Sequence, residues 1–340
     1  MQSDRYFKIF EHQNAWASKL GASSFVFDYS KRTVIFNRKQ HITQLFCFGI
    51  FTVHLIFILV RTINHFAKLE HFDGSHYYFL SCVSIAGTAC WLILFLIISK
   101  AHEFGLGFNG FVAFLNSIQA TYIPTFDKNA SLSNCILDGV VFFTGPLFVS
   151  LAFVISLHAM IFQDWPMYFS SIFPANTPLI VYIINAIYVF WIPQFLYGNL
   201  MLFATIFVGF APHLLTLFKE FIVNPVGDGR PMRFQMATRE FRNDENLRVT
   251  YRRLQIMHGF EMDALAWSIM PIQGLLSYLI MYCVVSLIKH RHEMDGTLII
   301  ILVLWAALPT IDLYLLLEMS AKFYVLTKRA LKSMKKKDWG

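Results

Sequence analysis

Ionisable side chains held in apolar sequence are where this chain could do chemistry, because keeping such a group from water is expensive. Asp312 falls well inside one apolar run, Glu318 sits at that run's end, and Asp138 lies near the start of another. His54, His158 and His213 lie in or at the ends of the first, third and fourth apolar runs. Asp312 or Glu318 could couple the movement of a substrate to protons, as a six-helix transporter would require. These groups share no helical face and have no Lys or Arg partner at depth, so a structural hydrogen bond to a neighbouring helix is the competing role for Asp312.

Other chemistry has less behind it. The sequence holds no H-E-x-x-H, G-x-S-x-G, P-loop or Rossmann glycine pattern, and the chain reads as a protein other than an enzyme. Cys47, Cys82, Cys90, Cys135 and Cys283 all lie in or beside apolar stretches without C-x-x-C spacing. They read as small buried hydrophobes, with no metal site and no cofactor implied. Aromatic residues are more suggestive. With 36 Phe, 14 Tyr and 7 Trp, the chain can line an adaptable apolar pocket for a small organic ligand. The candidate lining is Trp91, His158, Trp165, Tyr168, Tyr188, Trp191 and Asp312, around a pocket expected between the outer halves of the second, third, fourth and sixth apolar spans. Trp165 and Tyr168 also fit the aromatic belt expected at a membrane interface.

The elements that must position these groups follow from hydropathy. A chain of 340 residues with 56% hydrophobic and 14% charged content carries more apolar surface than a soluble core of that size buries, so lipid is its expected solvent. About 20 apolar residues span the hydrocarbon core as a helix. Six such spans are predicted, at about 41–60, 77–99, 134–162, 178–218, 264–288 and 296–317. Residues 1–40 are mixed polar and aromatic, without the pattern of a signal peptide. Residues 104–134, broken by Gly105, Gly107, Gly110 and Pro124, read as a loop with one short helix lying on the bilayer.

The long run at 178–218 admits one helix or two, and charge decides between them. With one helix, only Arg61, Lys68, Lys289 and Arg291 of the 28 Lys and Arg face outward. With two, 17 of the 28 would be outside, the reverse of the positive-inside bias. The expectation is therefore an all-α, polytopic membrane bundle of one domain, with a long fourth helix and both termini in the cytoplasm. Segment 219–263 is then cytoplasmic and carries an amphipathic helix, with Leu247, Tyr251, Leu254 and Met257 at spacings of three and four. Pro271 is an expected kink in the fifth span. Residues 318–340 form a basic tail suited to acidic membrane lipids. The net charge of +7 sits in loops between spans, so no nucleic acid is implied. Asn129-Ala130-Ser131 matches a glycosylation acceptor but faces the cytosol in this arrangement, where it would stay unmodified.

Tyr251-Arg252-Arg253-Leu254-Gln255-Ile256, leading into the fifth span, is similar to the Tyr-x-x-Leu-Gln run of springtail-type chemoreceptors, and the segment from Ser320 to Ser333 also looks like the one after their sixth helix. In these residues and in its architecture the chain resembles the arthropod gustatory and odorant receptor superfamily. The resemblance implies a plasma-membrane chemoreceptor that binds a small tastant or odorant and assembles, homo- or hetero-oligomerically, as a tetrameric ligand-gated cation channel. It also implies a seventh, pore-lining helix. The Thr-Tyr-x5-Gln-Phe motif of that helix is missing from these 340 residues, so a form lacking its last helix is expected.

Overall fold

The computed structural model describes residues 3–71, 74–123, 132–174, 177–222 and 237–335; among helical side chains, those of 75, 132–137, 144, 207–209, 211–212, 239, 242, 257–269, 312, 315–316, 319 and 333–335 lie outside the description. Asn129, Cys135 and Met257 are likewise outside it. Among the described residues the protein is almost entirely helical. The elements in order are α1 (Asp4–Lys19), β1 (Phe25–Asp28), β2 (Thr33–Phe36), α2 (Arg38–Phe66), α3 (Gly74–Ser99), α4 (Ala101–Tyr122), α5 (Leu132–Ile161), α6 (Leu179–Glu220), α7 (Asp244–His290) and α8 (Gly296–Lys335).

Five helices contain stretches long and apolar enough to cross a membrane: Arg38–Phe66, His76–Ser99, Asp138–Ile161, Leu179–Ile206 and Met270–Glu293. This marks an integral membrane protein. The described apolar part of α8, Gly296–Ile311, is shorter. Large apolar side chains stay uncovered along these helices, including Phe46, Val53 and Ile63 on α2, Phe143 on α5, and Leu179, Ile183 and Ile187 on α6. Water would oppose so broad an exposed apolar band; lipid tails would not.

Helix length separates two layers. At about 1.5 Å per residue, α6 with 42 residues, α7 with 47 and α8 with 40 each run roughly 60–70 Å, about twice the hydrocarbon thickness. Only part of each can sit in lipid. The end that carries the α5–α6 and α7–α8 connections is the upper end here, and the opposite end is the lower one. The run at 178–218 is one helix, α6, as expected. α7 and α8 likewise continue through Pro271 and Pro309, and α5 through Pro146.

The lower layer departs most from the sequence reading. Residues 3–36 build α1 and a β-hairpin, so the fold is not all-α as expected but carries a small antiparallel sheet with Phe25 opposite Phe36 and Asp28 opposite Thr33. Ser3 caps α1 by accepting from the Tyr6 N–H at 2.9 Å. Gly21, with φ +74°, ends it. A Cβ at Gly21 would meet Cys47 Sγ at 2.6 Å, so only glycine lets the chain turn this close to α2. Across the hairpin turn, the Asp28 carboxylate accepts from the Ser30 N–H and hydroxyl and from the Lys31 N–H. The Ser30 hydroxyl is the main reason that the Asp28 carboxyl is held below the usual range, followed by the Lys31 N–H.

Residues 104–134 correct the expectation of a loop with a short bilayer helix. α4 runs unbroken for 22 residues and follows α3 after a single break at Lys100. Its glycines are tolerated because α4 packs on both sides of its apolar face. Phe108 stacks on Phe10 at 5.3 Å between ring centroids and meets Phe210 edge-on at 5.2 Å, while Phe27 stands edge-on to Phe10 at 5.1 Å. Phe111, Leu115 and Ile118 are buried in the same core. That core also takes in Phe221, Phe241, Leu247, Tyr251 and Leu254, so three of the four spaced residues at the start of α7 are buried there.

Candidate aromatic ligand site

The connection between α5 and α6 folds down into the upper end of the bundle. It is held by its own hydrogen bonds: the Trp165 N–H donates to Phe162 O at 3.2 Å, the Tyr168 N–H to Trp165 O at 3.0 Å, and the Ser170 hydroxyl to Gln163 O at 2.6 Å. Such closure makes a stiff insert from a segment without long helix. Trp165 and Tyr168 are 7% and 6% exposed, so they form no interfacial belt; that expectation is overturned, because the loop turns its aromatic rings inward.

Two groups of rings receive the insert. Trp165 packs against His76 at 4.5 Å, His158 at 4.8 Å and Phe79 at 5.4 Å, and Trp305 of α8 stacks on Phe79 at 5.6 Å. His158 Nδ1 and the Tyr168 hydroxyl are 2.9 Å apart. Burial pushes the Tyr168 hydroxyl well above its ordinary range, so it remains protonated. With that hydroxyl donating, Nδ1 accepts and the neutral imidazole carries its proton on Nε2. Beside this group, Phe169 lies 4.4 Å from Phe57, 5.3 Å from His54 and 5.6 Å from Tyr188. His54 and Tyr188 stand edge-to-face at 5.6 Å.

Polar atoms distinguish this cluster from ordinary core. His54 Nδ1, His158 Nε2 and the Tyr188 hydroxyl are each shielded from solvent and find no hydrogen-bond partner among the described residues. A buried polar atom without a partner costs about 1–3 kcal/mol, so three beside a ring cluster need a reason. Charge stays at the rim. Arg61 pairs with Glu70 at 3.1 Å, and Tyr78 stacks on His290, whose Nδ1 lies 3.5 Å from Glu293.

The structure thus brings His158, Trp165, Tyr168 and Tyr188 to one end of the bundle. It does not bring Trp91 and Trp191 there. The Trp91 indole N–H donates to the Thr52 hydroxyl at 2.9 Å and its ring stacks on Phe95. The Trp191 indole donates to Leu20 O at 3.2 Å, under the tip of α1. Both pack against the lower core, and their rings are spent on helix contacts. The Asp312 side chain lies outside the described residues. Glu318 pairs with Lys322 one turn along α8 at 2.6 Å, on the surface. Of the motif residues, Tyr251 and Leu254 point into the lower core, while Gln255 is exposed and hydrogen-bonds back to the Tyr251 hydroxyl.

Sequence reasoning missed His54 as a lining residue, along with Phe57, Phe79, Phe169 and Trp305. His54 and Tyr188 lie on helices far apart in sequence, and only the fold brings them edge-to-face with Phe169 of the inserted loop beside both. Away from the ring cluster, a lateral groove of about 470 Å³ lined by Trp16, Val149, Phe153, Phe190 and Gln194 runs beside α1, α5 and α6. A buried polar network beneath it was also missed. Gln44 Nε2 donates to Asn199 Oδ1 at 2.9 Å and to Ala22 O at 3.3 Å, and Gln44 Oε1 accepts from the Ser24 hydroxyl. Asp138, read as a candidate site acid, instead accepts from the Ser3 hydroxyl at 2.6 Å and anchors the start of α1. Among the described residues no group of His, Cys, Asp and Glu has the arrangement of a metal site. Comparison with protein-family models, with curated proteins and with solved structures finds no match to this chain.

Proposed function

We propose that this protein is a chemoreceptor-like membrane receptor that binds a small, neutral organic molecule in the aromatic cluster at its upper end. One observation carries the reading: His54 Nδ1, His158 Nε2 and the Tyr188 hydroxyl are buried and unpartnered beside Phe57, Phe169 and Trp165. A ligand with one or two hydrogen-bonding groups and an apolar body would supply the partners they lack, while the rings would supply contact area. The charged pairs sit at the rim, so a charged ligand would lose its hydration without an opposite charge inside. Occupancy requires the α5–α6 insert to shift, which links binding to the ends of α5 and α6.

In this reading six helices cross the plasma membrane, both termini are cytoplasmic and the upper end faces outward. The sequence resemblance adds that the chain belongs to an oligomeric, ligand-gated cation channel. The test uses the full chain in lipid nanodiscs with a panel of neutral aromatic alcohols and indoles, read as thermal stabilisation. Compounds that stabilise the parent should lose most of that effect in Tyr188→Phe and His54→Leu, and Gln194→Leu, in the lateral groove, should respond as the parent does. No stabilisation by any compound, or equal stabilisation of all variants, overturns the proposal.

A further inference from the structure

Cys82 on α3 and Cys283 on α7 bring their sulfurs to 3.7 Å, although 201 residues separate them in the chain. Both are free thiols with no exposed surface, and both belong to the core that holds Phe79, Trp165 and Tyr168. A disulfide needs sulfurs about 2.05 Å apart, so a modest side-chain rotation between two packed helices separates contact from bond.

We propose that Cys82 and Cys283 form a dithiol site that closes to a disulfide and ties α3 to α7 below the aromatic cluster. In the reaction with a peroxide, both S–H bonds break and one S–S bond forms; the two electrons and two protons reduce the O–O bond to two water molecules. Hydrogen peroxide is small and uncharged, which suits a site without solvent exposure. The dithiol stands independently of the ligand reading.

The test treats the full chain in nanodiscs with hydrogen peroxide, then denatures it, alkylates free thiols and maps peptides by mass spectrometry. The expected result is a Cys82–Cys283 cross-link reversed by dithiothreitol, unchanged in Cys90→Ser and lost in Cys82→Ser and in Cys283→Ser. A measurement on the parent sequence guards against variants that do not fold. Phenylarsine oxide bridges two sulfurs through one arsenic, and it should protect both cysteines from alkylation together. Full alkylation of both after either reagent, or their separate oxidation to sulfinic acids without a cross-link, overturns the proposal.

Discussion

Replacing Gln44 by Leu tests whether the N-terminal segment is docked by buried hydrogen bonds rather than by its aromatic rings alone. The Gln44 side chain is 1% exposed, and it joins Ser24 and Ala22, which follow α1, to Asn199 on α6. Leucine fills much the same volume, so packing changes little while three hydrogen bonds vanish. Asn199 Oδ1, Ala22 O and the Ser24 hydroxyl are left facing an apolar side chain. At about 1–3 kcal/mol for each group that stays unsatisfied, and with some re-pairing, the loss is about 2–4 kcal/mol. Membrane-helix hydrogen bonds average nearer 0.6 kcal/mol each, which places three of them at about 2 kcal/mol, the lower bound. Because two of the three bonds end on the short connection after α1 and the third ties Gln44 to α6, the loss falls on local opening of α1 and the hairpin. At tenfold per 1.4 kcal/mol, amide exchange there should accelerate by roughly 30- to 700-fold, with α5 and the upper part of α6 unchanged. Hydrogen exchange read by mass spectrometry on the full chain in nanodiscs measures both. The double variant Gln44→Leu with Asn199→Leu should be less damaging than the sum of its parts, since both partners are then apolar. Exchange in residues 4–36 within about threefold of the parent would refute the reasoning, because the bonds would then contribute under 1 kcal/mol together.

Phe108→Ala removes a ring shared by α1, β1 and α6 and should lower stability by about 3–5 kcal/mol, whereas Phe143→Ala, on the uncovered face of α5, should change it by under about 0.5 kcal/mol; thermal unfolding in nanodiscs that ranked the two the other way would contradict the assigned faces. Tyr168→Phe strips His158 Nδ1 of its partner, and a loss of about 1–3 kcal/mol is expected, together with faster proteolysis within residues 162–174. Retention of both parent values would show that the ring contacts alone hold the insert. Asp28 has a carboxyl pKa below its unfolded value, so its contribution is present above the unfolded pKa of about 3.9 and is lost as pH falls through the folded value. Amides of residues 28–33 should therefore lose protection below about pH 4, and Asp28→Asn should remove that pH dependence; a variant that keeps the same acid profile would rule out the carboxylate as its source.

Hydropathy located the five membrane-length helices, because lipid demands about 20 consecutive apolar residues and the sequence supplies them in separated runs. Charge asymmetry picked a single helix for residues 178–218, and the three–four spacing of Leu247, Tyr251 and Leu254 fixed which face of α7 turns inward. α1 carried a readable signal as well, with Phe7, Phe10, Asn14 and Ala17 at the same spacing, but the polar residues between them hid it from a search for long apolar runs. What composition could not convey was partnership. The glycine-broken run reads as a loop from its letters but is a 22-residue helix against Phe10 and Phe210, since packing outweighs the roughly 1 kcal/mol of helix propensity lost at each glycine. Trp91, Trp165 and Trp191 are equivalent as letters. Only the fold sent two of them to helix contacts in the lower core and one into the aromatic insert, because which buried side chains meet depends on distances between helices that adjacent positions in a chain do not encode.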